Sequence, residues 1–405
     1  MLLFRLRLSH NSFDFAIDFW YNVDRHYTKG QHTTIMIQKR LHTPEGVRDI
    51  YNEECGQKLI LQETLQRVLW QYGFSAIETP SFEFFDVFGQ EIGTVPSKDL
   101  YKFFDREGNT LVLRPDITPS VARLAASYFS EDDMPKRLWY QGHVFINNSS
   151  YQGRLKETTQ LGAELIGDDS IEADAELLVL AVRLLLAAGL TDFQLALGHV
   201  GFFRSLIQAA DLDEDVTAEI TALIENKNFF GVEEVLAPLS LPPALKELFG
   251  KLGGFYQNTD SLEKVKELAK DYPEVAKSID RIAAVYEVLV LYGVEGHISI
   301  ELSILSPYHY YTGIIFAGYT YGSGEAVVKG GRYDHLLSGF GKNAPSIGFA
   351  ITIDQLMATL YRQKISLPGL QECRVIEYAP EELKDAIKQA EALRLQGESV
   401  LLQKR

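Results

Sequence analysis

One stretch, WYQGHVFINNSSYQGRLKETTQLGAELIG over residues 139–167, constrains the fold more than any other. An apolar segment over 138–145 reads as a strand, runs into a polar loop, and returns as a segment carrying Gln160 and Glu164 four residues apart in apolar surroundings. Two polar side chains aimed inward from one element supply the few polar groups of a small-molecule pocket. The competing reading is a hairpin whose Gln160 and Glu164 face water, and spacing alone does not separate the two.

At 405 residues the chain exceeds one typical domain, which implies a large domain with one or two smaller units. Lys and Arg total 39 against 55 Asp and Glu, a net charge of −16. Such a field repels polyanions, and no basic patch interrupts it, which counts against tRNA as a ligand. The two cysteines, Cys55 and Cys373, cannot form a disulfide framework, and neither sits in a metal-type spacing. A reducing, cytoplasmic compartment is expected, with no metal and no cofactor. No apolar run approaches the ~18 residues of a membrane span, and MLLF is too short for a signal-peptide core.

Residues 1–35 are rich in aromatics but show no sustained period, so they read as a non-native or disordered extension; the alternative is an arm that docks on a partner. From 54 to 72, Leu59, Ile60, Val68 and Leu69 suit an amphipathic helix ended by Gly73. The segment AIETPSFEFFDVFG, 76–89, contains Pro80 and is compatible with an edge strand. A hairpin over 101–110 turns at Glu107-Gly108-Asn109 and leads into LRPDITPSVAR, where Asp116 stands before a helix, a place in which a salt-bridging Asp is common. An apolar helix ends at Gly189, and residues 204–292 turn helical and charged, with breaks at Asp211, Pro238, Pro242-Pro243, Gly253-Gly254 and Pro273. Strand character returns over 298–320. Gly330-Gly331-Arg332-Tyr333-Asp334 and PSIGFAITIDQL follow, and the last forty residues read as a strand, a helix and a strand after the 366–369 linker.

Together these segments resemble histidyl-tRNA synthetase, a class II aminoacyl-tRNA synthetase, from about residue 43 to 360. The Q-x-x-x-E of Gln160 and Glu164, Gly153-Arg154, YYTG at 310–313 and GGRYD at 330–334 stand in the family's register. Segment 76–89 resembles its first motif, with Pro80 as the proline of the class II dimer interface. The resemblance implies an α+β fold: a class II synthetase-like antiparallel sheet flanked by helices, with a helical insertion and a short C-terminal βαβ-like remnant of the anticodon-binding domain. The implied divisions are a core over 36–203 and 293–362, the insertion over 204–292, and the remnant over 370–405.

Three arginines of the family's adenylation site are absent, their places taken by Ile146, Ser306 and Gln355. Adenylation concentrates negative charge on a phosphate, which fixed guanidinium groups answer. No catalytic residue is therefore expected. The histidine-binding set persists: Asp116, Thr118 and Gln160 are implied partners of the ammonium, and Glu164 and the Tyr311 hydroxyl of the imidazole. Tyr310 lies beside them, and Arg154 is a candidate counter-charge. This combination resembles the regulatory subunits of ATP phosphoribosyltransferase, paralogues of the synthetase. The implied partners are a short catalytic subunit, L-histidine as feedback effector, and a second copy through the class II interface, with no tRNA and no membrane. A divergent histidine–tRNA ligase is the competing reading.

Overall fold

The computed structural model describes residues 41–89, 95–148, 154–254, 256, 258–305, 310–367 and 373–405. Expectations for residues 1–35, Gly153, Ser306 and the end of the 366–369 linker lie outside the described residues. The chain divides into two compact units, Met1–Asp49 and Ile50–Arg405. In the first, described residues 41–49 make a turn closed by Thr43 Oγ1 donating to the Val47 carbonyl at 2.9 Å.

The second unit opens with α1 (Asn52–Gln71), which buries Leu61, Leu65 and Leu69 along one stripe and carries Glu53 and Glu54 in its first turn, where the helix dipole favours them. Gly73, at φ +75°, ends it. The strand β1 (Ser75–Ile77) is short and stops before Pro80; β2 (Phe82–Phe84) then joins a different sheet with β3 (Lys102–Phe104) and β4 (Thr110–Leu113), in the order β2-β4-β3. Pro80 is thus the link between two sheets and not a residue of an edge strand. Arg114 Nη1 pins that link by donating to the carbonyls of Thr79 at 2.7 Å and Pro80 at 3.1 Å.

After α2 (Thr118–Tyr128) come β5 (Lys136–Phe145), β6 (Glu157–Ile166), α3 (Ile171–Ala187) and β7 (Gln194–His199). Six helices follow: α4 (Val200–Ala209), α5 (Glu214–Glu225), α6 (Phe229–Leu236), α7 (Pro243–Gly250), α8 (Glu263–Ala269) and α9 (Pro273–Leu291). Their starts carry the caps that the sequence supplies, with Asp213 accepting from Val216 N–H and Asn228 from Gly231 N–H. The apolar face of this segment, including Leu248, Ile279 and Ile282, shares one core with α3 and the sheet. The chain returns as β8 (Ile298–Ile300), β9 (Ile314–Tyr319), β10 (Val328–Arg332), β11 (Ser346–Thr352) and α10 (Ile353–Arg362). The run of strand character over 298–320 is therefore two strands, which lie on opposite sides of β7. Finally β12 (Arg374–Tyr378) and β13 (Val400–Lys404) pair in parallel, joined by α11 (Leu383–Leu395).

The central sheet has eight strands in the order β1-β5-β6-β11-β10-β9-β7-β8, antiparallel except at its two edge pairs. One face is covered by α3, whose Leu177, Leu178, Leu180 and Leu184 are fully buried. Register aligns the residues of the other face in rows across the strands. Leu138, Glu164, Gly348 and Gly331 form one row; Tyr140, Gly162, Ala350 and Lys329 the next; Gly142, Gln160 and Thr352 a third. This face is the floor of the site.

Candidate functional site

A cavity of about 450 Å3 opens on that floor, large enough for an amino acid. Glu164 lies flat at its base, 1% exposed. Gly348, its neighbour in the row, makes this possible: a Cβ there would stand 1.4 Å from Glu164 Oε2. A Cβ on Gly331 would likewise meet the Tyr311 ring at 2.9 Å. Glu164 Oε1 accepts from Thr118 Oγ1 at 2.9 Å and from the Tyr140 hydroxyl at 3.1 Å, while Oε2 accepts from the Tyr333 hydroxyl at 2.6 Å. The reading in which these side chains face water thus fails for Glu164, while Gln160 is half-buried in the cavity wall. Glu164 is buried at the cavity base by the hydroxyls of Thr118, Tyr140 and Tyr333 that surround its carboxylate.

Burial pushes the Glu164 carboxyl up to about 8, against the opposing pull of the Tyr333, Thr118 and Tyr140 hydroxyls and with a further push from Asp116. Burial raises Asp116 as well, offset by bonds from Gln160 and from the backbone of Thr118 and Ile117. Asp116 Oδ1 accepts from Ile117 N–H at 2.8 Å and from Gln160 Nε2 at 3.2 Å, at the start of α2. Gln160 Oε1 takes the same Ile117 N–H at 3.2 Å, so the amide is oriented on both sides. No ion pair forms at Asp116 among the described residues, so it is not the salt-bridging residue its position before a helix allowed. Its Oδ2 is left to the cavity. Two buried carboxyl groups with no cation among their partners favour a ligand that brings positive charge or N–H donors.

The cavity brings Asp116, Thr118, Gln160, Glu164, Tyr310, Tyr311 and Arg154 together. Their roles within the chain differ. Thr118 spends its hydroxyl on Glu164. Tyr310 stacks between Tyr311, at 4.8 Å, and the edge of Tyr333, at 6.0 Å, forming an aromatic wall. Arg154 stands at the rim, exposed, paired with Glu325 at 2.7 Å. Of the positions that replace the family's arginines, Ile146 and Gln355 line the cavity, and Gln355 Nε2 donates to Ser323 Oγ at 3.1 Å. Two other arginines of the matched motifs are turned away. Arg114 is held by backbone carbonyls, and Arg332, on the opposite face of β10, forms a buried cluster with Asp174 and Arg281.

Four residues of the site escaped sequence reasoning: Tyr140, Tyr333, Gly348 and Lys329. Tyr140 is two residues from Gly142 on a strand, and alternation puts it on the floor once Gly142 is known to face Arg114. Tyr333 is inside GGRYD, where the preceding glycines draw attention and the tyrosine does the bonding. Among the described residues no group of His, Cys, Asp and Glu is arranged to hold a metal ion.

A family model for histidyl-tRNA synthetase matches residues 46–356. The ATP phosphoribosyltransferase regulatory subunit of Acetivibrio thermocellus is 36% identical over 365 residues, 90% of this chain and 87% of that protein. The chain belongs to the histidyl-tRNA synthetase family, in its ATP phosphoribosyltransferase regulatory-subunit branch. The regulatory subunit of Ruminiclostridium cellulolyticum is 37% identical over 89% of this chain and 86% of its own length. Among solved structures, a protein from Bacillus halodurans described as an ATP phosphoribosyltransferase regulatory subunit/histidyl-tRNA synthetase superposes with a TM-score of 0.81 at 32% identity, covering 90% of this chain and 93% of that one. Histidyl-tRNA synthetase from Nostoc sp., with a TM-score of 0.75, 22% identity and coverage of 89% and 85%, shares the fold. The regulatory-subunit branch therefore uses the class II synthetase-like α+β architecture.

Proposed function

We propose that this chain is the regulatory, non-catalytic subunit of an ATP phosphoribosyltransferase, and that it senses L-histidine in the cavity above Glu164. The observation that carries the reading is the split fate of the site. Its amino-acid end keeps two buried carboxyl groups with a glutamine and four tyrosines around them, while the family's guanidinium positions at 146 and 355 hold Ile146 and Gln355. A pocket of this kind can bind an amino acid but has lost two cationic groups that steady a transferring phosphate. Asp116 Oδ2 and Gln160 receive the ammonium, Glu164 and Tyr311 face the imidazole, and Thr118, Tyr140 and Tyr333 hold Glu164 in place.

The partner is a short catalytic subunit that makes phosphoribosyl-ATP from ATP and phosphoribosyl pyrophosphate, the first step of histidine biosynthesis. Histidine bound with different affinity to two states of the assembly couples its concentration to that activity, with typical couplings of ~1–3 kcal/mol. Self-association through the face around Phe82 and Phe84, both half exposed on the small sheet, supplies the oligomer in which such coupling acts. No helix among the described residues is long and apolar enough to cross a membrane, which accords with work in the cytoplasm. The divergent-ligase reading loses support from the same two positions. The test is to add the purified chain to the catalytic subunit from the same organism and follow phosphoribosyl-ATP formation. Activity rises on addition if the proposal holds. A catalytic subunit equally active alone refutes it.

A further inference from the structure

Lys329 occupies the floor of the cavity in the row of Tyr140, Gly162 and Ala350. Its cross-strand neighbours are Ala350 and Ala317, and the next floor residue on its own strand is Gly331, so nothing bulky stands beside it. The side chain is exposed and lines the cavity. The two arginines that line the same cavity are occupied, Arg154 by Glu325 and Arg362 Nη1 by the Gly322 carbonyl at 2.7 Å. Lys329 makes no ion pair or hydrogen bond with any described residue. A lysine ammonium is a compact charge on a flexible stem that gains most from an anionic partner, and here that partner is missing.

Geometry gives the partner its place. Register sets Lys329 level with Gly162, two strands away, between the levels of Gln160 and Glu164. Two strand spacings put about 10 Å between the backbone of Lys329 and the acidic wall. The cavity is therefore polarised, with Asp116 and Glu164 on one side and an unpaired ammonium on the other. A ligand that fits both ends carries a cationic group and an anionic group a few bonds apart. That is the description of a zwitterionic α-amino acid.

We propose that Lys329 binds the α-carboxylate of the amino acid held in this cavity, supplying from the floor strand β10 a positive charge beside those of Arg154 and Arg362 in the described lining. This inference rests on the histidine-sensing reading. It makes the carboxylate, and not the imidazole alone, a condition of tight binding, and so distinguishes histidine from amines that share its ring.

The experiment is calorimetric titration of the full-length chain with L-histidine and with histamine, which has the same ring and ammonium but no carboxylate, for wild type, Lys329→Met and Lys329→Arg. Lys329 is exposed and unbonded, so melting temperatures should match across the three proteins. Wild type and Lys329→Arg should prefer histidine over histamine by about ten- to a hundredfold, the worth of a charge-assisted hydrogen bond. In Lys329→Met histidine should weaken by that factor while histamine is unchanged. Wild type that binds both ligands equally, or a Met variant that keeps the preference, overturns the role of Lys329 and leaves histidine sensing standing. Wild type that binds neither ligand overturns both.

Discussion

Replacing Glu164 by Gln tests the site through its proton. In the folded chain the carboxyl titrates at about 8, against a reference value of 4.5, because burial outweighs the three hydroxyls that support the charge. Between those values the folded state keeps a proton that the unfolded state has released, so the unfolded state binds fewer protons and stability falls as pH rises. The contribution is fully present below the reference value and is lost as pH climbs through the folded one. Each unit of pH inside the window changes stability by at most about 1.4 kcal/mol, so the two units from 5.5 to 7.5 cost roughly 2–3 kcal/mol. Glu164→Gln keeps the shape and removes the titration. Asp116 is shifted in the same direction, so a shallower slope should persist in the variant. The assay is urea unfolding of both proteins at pH 5.5, 6.5 and 7.5, taking the difference between them so that all other titrations cancel. A difference that grows with pH, in favour of the variant, is expected. Parallel profiles would show that Glu164 is ionised throughout this range and that burial does not hold its proton.

Gly348→Ala places a methyl inside the space of Glu164 Oε2; it should destabilise the chain by roughly 1–3 kcal/mol and abolish histidine binding in calorimetry, and normal binding would mean that Glu164 need not lie flat. Asp174→Asn breaks the buried Arg332–Asp174–Arg281 cluster and should cost about 3–5 kcal/mol in denaturation while leaving histidine affinity within a few-fold, since the cluster is on the opposite face of the sheet; a large loss of affinity would put that face in the site. Histidine-dependent exchange of pyrophosphate into ATP should stay at background, and exchange clearly above it would restore the ligase reading.

The strands and helices were legible because their signals are local. Gly73, Gly108 and Gly189 end or turn elements where the sequence places them, and the apolar segment 138–145 with the polar pair at 160 and 164 marks the hairpin. The inward aim of Glu164 was not decidable from its own strand. It depends on Gly348, far along the chain, being the residue opposite, and long-range register is invisible to spacing. Whether Pro80 stood in an edge strand was undecided for a similar reason, since the two sheets it joins are defined by partners elsewhere. The bond from Thr118 to Glu164 was likewise not legible, because Tyr140 and Tyr333 reach the same carboxylate, a convergence of four segments that no single motif contains.

The central claim is that this cavity, and no other site, carries histidine's effect to the partner. The direct measurement is the inhibition of phosphoribosyl-ATP formation by histidine in the complex assembled from the catalytic subunit and either the wild-type chain or Asp116→Asn, which keeps the Oδ1 bonds at the start of α2 but removes the charge facing the cavity. Both complexes should be equally active without histidine, and the half-inhibitory concentration should rise about ten- to a hundredfold with the variant, the loss of one charge-assisted hydrogen bond. Superimposable inhibition curves would contradict the account and move the sensor away from this cavity.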